Sequence, residues 1–131
     1  MLRTVLGVVA GIATWFVVAT ALNFGLRVGW PGYAAAEPQM TFDLSMMLAR
    51  LTESTIALVI AGFVTARVAQ GRVAAPWVLG LFMLACFVPV HYMLWAKFPV
   101  WYHAYFLASL VVIPLLVANW TRDSGPRDAV V

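Results

Sequence analysis

Four side chains in this 131-residue chain are ionisable and set among apolar neighbours: Arg50, Glu53, His91 and His103. Arg50 and Glu53 stand three apart in MMLARLTESTIALVIAGFVTARVA, so on a helix they share a face and can pair. His91 lies six residues before Lys97 and His103 six residues after it, on either side of the short turn Ala96–Phe98. Reversal at that turn sets both imidazoles at one level, flanked by Tyr92, Trp95, Trp101 and Tyr102. Three chemistries compete for this cluster. In the structural one, an Arg50–Glu53 ion pair fixes helix register, and the histidines donate to backbone carbonyls such as those freed by Pro89. The aromatic residues then form an interfacial belt. In the second, Glu53 and the histidines bind a small polar ligand or relay protons, because histidine titrates near neutral pH and ionisable groups in membranes mark pathways. One four-helix protomer leaves little room for a pathway, so a carrier needs an oligomer. In the third, His91, His103 and Glu53 hold a metal, or the two histidines ligate haem. There is no HExxH, no CxxCH, no phosphate-binding glycine loop and no nucleophile–base pair. The expectation is a protein that is not an enzyme and carries no cofactor.

The elements that hold these residues are read from composition. The chain is 64% hydrophobic and 10% charged, where soluble domains run near half and a quarter. Mean hydropathy is +0.94. Four stretches of membrane-spanning length follow one another, at about 5–26, 43–68, 75–95 and 99–120. The expected fold is an all-α membrane protein, a four-transmembrane-helix antiparallel bundle in one domain over 1–131, with 121–131 as a mobile cytoplasmic tail. A charge near the centre of a span costs roughly 2.5–3.5 kcal/mol on insertion scales. Span two must therefore turn Arg50 and Glu53 away from lipid. The connection 27–42 contains Gly29, Pro31, Gly32 and Pro38 and reads as a loop, or as a short cap folded over the bundle. Gly7 and Gly11 form a GxxxG packing face. Cys86 falls mid-span and is expected to be a buried packing residue. Pro99 is expected to open span four, and Pro89 and Pro114 to kink spans three and four. Ala19-Thr20-Ala21 resembles a cleavage site, but the apolar run continues past it to Leu26, which favours a retained span over a signal peptide.

Charge placement sets orientation. Arg3, Arg67, Arg72, Arg122 and Arg127 fall on one side of the four spans, and Arg27 and Lys97 on the other. The positive-inside rule makes the chain N-in and C-in. The basic residues form no stripe along a helix, which argues against nucleic acid as a partner. The stretches WPGYAAAEP (30–38), MMLARL (46–51) and PVHYMLWAKFPVWYH (89–103) resemble small four-span inner-membrane proteins of Gram-negative bacteria. That resemblance implies a multi-pass inner-membrane protein and transfers no residue roles. The expected job is that of an accessory subunit or small-ligand-binding protein acting through its periplasmic half. Its partners are the bilayer and a larger membrane complex or further copies of itself. The runner-up is a solute or proton-coupled carrier.

Overall fold

The computed structural model describes residues 1–124. Among these residues the chain forms helices α1 (Leu2–Gly29), α2 (Pro31–Ala36), α3 (Leu44–Val68), α4 (Ala74–Met93) and α5 (Val100–Asp123). Short 3-10 turns at Glu37–Gln39 and Trp95–Lys97 complete the helical structure. Helices α1, α3, α4 and α5 are each long and apolar enough to cross a membrane.

Several ends differ from the sequence expectation for local reasons. α1 runs through Arg3 and Arg27 instead of stopping between them, because an arginine in a terminal turn can extend its head to water. α4 ends at Met93 rather than Trp95, and the chain tightens into the 3-10 turn there. Pro99 does not open α5. It is the extended residue before the helix, with φ −66° and ψ 157°. α5 continues to Asp123, so 121–123 are helical where a mobile tail is expected. The rest of that expected tail, 125–131, lies outside the described residues.

α3 is the central helix, with α1 on one flank and α5 on the other, while α4 packs on α5 and more lightly on α1. Its start is capped by Asp43, whose Oδ1 accepts from the Met46 N–H at 2.8 Å and from Ser45 Oγ at 2.7 Å. The Met46 N–H first, and then Ser45, holds the Asp43 carboxyl below the usual carboxylate range. After α3 the chain reverses through Gln70 and Gly71, both left-handed at φ 53° and 72°.

Small residues set how closely the helices approach. A β-carbon on Gly7 would stand 2.8 Å from Ala69 Cβ, and one on Gly11 would overlap Thr65 Oγ1. A β-carbon on Gly80 would meet Val111 Cα at 2.9 Å and the Leu110 carbonyl at 3.0 Å. Residue numbers run in opposite senses along α1 and α3 at these contacts, and along α4 and α5, where Gly80 meets Val111 and His91 meets His103. Gly62 faces Pro114 while Arg50 reaches Tyr102, so α3 and α5 run in the same sense. Trp15, Leu58, Leu79, Met83, Phe106 and Leu110 fill the centre.

The outer surface is as oily as the core: Phe16, Phe24, Leu81, Phe82 and Leu116 are all largely exposed. Cys86 belongs to that surface, which corrects its assignment as a buried packing residue. A thiol mid-span meets apolar surroundings whichever way it faces, so hydropathy cannot distinguish inward from outward there.

Candidate functional site

The connection between α1 and α3 folds back as a cap. Trp30 breaks α1 at φ −136° and ψ 88°, and Pro31 starts α2. Arg27 Nε donates to Glu37 Oε2 at 2.9 Å, and its Nη2 donates to Oε1, which ties the far end of the cap to α1. This is the one ion pair among the described residues. The bonded Arg27 guanidinium holds the Glu37 carboxyl below its ordinary value. Beyond it, Met40 turns the chain at a left-handed φ of 52°.

Tyr33 of the cap has no exposed surface. Its hydroxyl donates to Asn23 Oδ1 at 2.7 Å and accepts from Arg50 Nη1 at 2.7 Å. Burial pushes the Tyr33 phenol above its ordinary pKa. Arg50 Nε donates to Tyr102 Oη at 3.3 Å, and the guanidinium lies 4.8 Å above the Phe42 ring. One side chain on α3 is therefore bonded to the cap and to α5, and through Tyr33 to Asn23 of α1.

Arg50 and Glu53 do not pair. Helical side chains lean toward their own N-terminus, and Arg50 follows that direction up to the cap. Glu53 turns to α1. It lines a groove of about 430 Å³ with Ala21, Leu22, Gly25, Leu26, Ala49 and Ile56. It is half-buried and has no ion-pair partner among the described residues.

The two histidines meet. His91 Nδ1 and His103 Nδ1 are 2.7 Å apart, and His103 Nε2 is 3.3 Å from the Trp95 carbonyl oxygen. A carbonyl can only accept, so His103 carries its proton on Nε2. With both rings neutral, His103 Nδ1 is then the acceptor and His91 Nδ1–H the donor. The carbonyl used is that of the 3-10 turn, not one freed by Pro89. Trp95 stacks on His103 at 4.6 Å, and Phe106 packs on His91 at 4.5 Å. Both imidazoles are buried.

This geometry bears on the metal set His91, His103 and Glu53. Among the described residues no three His, Cys, Asp or Glu side chains are grouped as metal ligands. Two nitrogens on one tetrahedral zinc, each ~2.0 Å from it, stand ~3.3 Å apart. The observed 2.7 Å is the spacing of a hydrogen bond. The pair can hold one shared proton and orient Trp95, but its Nδ1 atoms are committed to each other. His91→Phe is expected to cost about 1–3 kcal/mol, since it strands the buried His103 Nδ1. The double change His91→Phe/His103→Phe should cost less than the two single losses added. Melting temperatures in detergent measure this, and strict additivity would mean the bond does not couple the rings.

The remaining aromatic candidates divide. Tyr102 is buried beside Arg50 and stacks on Phe98 at 4.3 Å. Trp101 and Tyr105 line a second groove of about 450 Å³ against α3, where Tyr105 Oη and Thr55 Oγ1 are 2.8 Å apart. Tyr92 is largely exposed. Neither Tyr33 nor Asn23 is among the candidates drawn from the sequence above. No local spacing links either to Arg50, and only the fold-back of α2 joins them. No protein-family model, curated protein or solved structure matches the chain.

Proposed function

We propose that this chain is an antiparallel four-helix bundle of a bacterial inner membrane, with both ends cytoplasmic, serving as a non-catalytic accessory subunit. Its docking element is the α1–α3 groove, which receives a transmembrane helix of a larger partner. The observation that carries this is Glu53, a half-buried carboxyl lining an apolar groove with no partner of its own. Left against lipid, such a group is costly. A partner helix that brings a lysine, arginine or other donor to this level removes that cost. Ala21, Gly25 and Ala49 keep the groove wall low enough for close approach. The orientation rests on the arginines, since Arg3, Arg67, Arg72 and Arg122 mark one end of the spans. Reporter fusions at 124 and at Pro38 test it, and a periplasmic signal from the first would reverse it.

A carrier has less support. Arg50, His91 and His103 are bonded to protein groups on closed paths, and neither groove beside α3 is lined by an imidazole.

Purification of the full chain in mild detergent should bring down a larger membrane protein. Glu53→Gln should cut the recovered partner about tenfold, a coupling of about 1.4 kcal/mol, with the melting temperature of the isolated chain unchanged. Equal recovery with Glu53→Gln, or recovery of this chain only as a homo-oligomer, would overturn the reading.

A further inference from the structure

A second polar concentration lies at the end of the bundle away from the cap. Arg72, in the turn before α4, and Arg122, in the last turn of α5, are exposed and line one partly open cavity of about 150 Å³. Pro76, Trp77, Ala118 and Asn119 form much of its wall. Arg122 Nη2 donates to Asn119 Oδ1 one turn earlier on the same helix. Neither arginine has a carboxylate partner among the described residues. Arg67 at the same end is engaged elsewhere, 4.9 Å above the Phe63 ring. Two arginines on the wall of one partly apolar cavity offer a receptor for an anion with several acceptor oxygens.

Size and surroundings narrow the anion. The cavity is smaller than the ~300 Å³ at which small-molecule pockets begin, so it suits a phosphate group and not a nucleotide or cofactor. Arg72 also borders an apolar groove of about 660 Å³ between α1 and α4, lined by Leu2, Val5, Val9 and Val78. A greasy channel that starts at an arginine fits an acyl chain whose phosphate rests on that arginine. Trp77, 47% exposed, is the residue type that settles at headgroup level.

We propose that the Arg72–Arg122 cavity binds the phosphate group of an anionic phospholipid, with an acyl chain in the α1–α4 groove. Zwitterionic lipids carry a phosphate as well, but their ammonium group is repelled by the paired guanidiniums. The site is independent of Glu53 and of any partner docked there.

Native mass spectrometry of the full chain in mild detergent tests this, with phosphatidylglycerol, phosphatidylcholine or inorganic phosphate added in separate arms. The wild-type chain should retain phosphatidylglycerol and lose phosphatidylcholine. Arg72→Gln/Arg122→Gln should lower that retention about tenfold. Arg3→Gln/Arg67→Gln removes the same charge outside the cavity and should retain lipid like the wild type. If the first double variant does not fold, Arg72→Lys and Arg122→Lys keep the charge but lose the fork, and each should lower retention several-fold. Equal retention in the two glutamine variants, undiminished retention in both lysine variants, or equal retention of phosphatidylcholine overturns the site. Binding of inorganic phosphate without phosphatidylglycerol overturns the lipid as its source.

Discussion

Gly80→Leu is expected to leave no folded protein to recover from the membrane. The β-carbon of any larger residue here lands 2.9 Å from Val111 Cα and 3.0 Å from the Leu110 carbonyl. Both are backbone atoms, so no rotamer change relieves the clash and α4 must move away from α5. One added methyl in a close-packed contact costs about 1–3 kcal/mol, and leucine adds three further carbons. Gly80→Ala should therefore survive with a lowered melting temperature, while Gly80→Leu should aggregate on extraction. Gly25→Leu supplies the control, because nothing lies within 4 Å of a β-carbon there. If Gly80→Leu melts with the wild type, α4 and α5 do not touch as described. The same contact supports the histidine bond further along the two helices, so Gly80→Ala should also loosen His91 from His103.

The second large effect concerns Arg50, and it turns on which partner is removed. Tyr33→Phe/Tyr102→Phe takes away both hydroxyls and leaves a half-buried guanidinium over Phe42 alone. A hydrogen bond to a charged group contributes about 1.5–3 kcal/mol. The bond to Tyr102 is long at 3.3 Å, so the pair of losses should total about 3 kcal/mol. Arg50→Met removes the charge together with its bonds and spares the cost of stranding it, so it should cost less than the double tyrosine change. Chemical or thermal unfolding in detergent gives the order. Arg50→Met proving the more damaging of the two would mean the guanidinium has a further partner beyond the two hydroxyls and the Phe42 ring.

Much of the architecture was legible, and the residues that were not share a cause. Hydropathy placed four helices because an apolar run of spanning length has few other uses. The common level of His91 and His103 followed from symmetric spacing about a three-residue turn, a relation that survives small errors in helix ends, whereas their direct bond did not. The pairing of Arg50 with Glu53 rested on the local i, i+3 relation, and the observed partners Tyr33 and Tyr102 lie 17 and 52 residues away. Long-range partners of this kind appear only once the cap has folded over α3. Arg72 and Arg122 were read for topology alone. That they border one cavity depends on the end of α5 reaching the turn before α4, which no spacing in the sequence reports.

The lengths of α1 and α4 have a mechanical consequence. α1 has 28 residues and α4 has 20, about 42 Å against about 30 Å at 1.5 Å per residue. A hydrocarbon slab of ~30 Å matches α4 without tilt. α1 must overhang it, and the packing of Val8 beside Ala69 and Ala75 puts most of the overhang at the arginine end. A thicker bilayer first draws in those spare turns of α1, whereas α4 has none to give. Hydrophobic mismatch is therefore felt by the short helix, whose far end leads straight into the Trp95 carbonyl that holds His103.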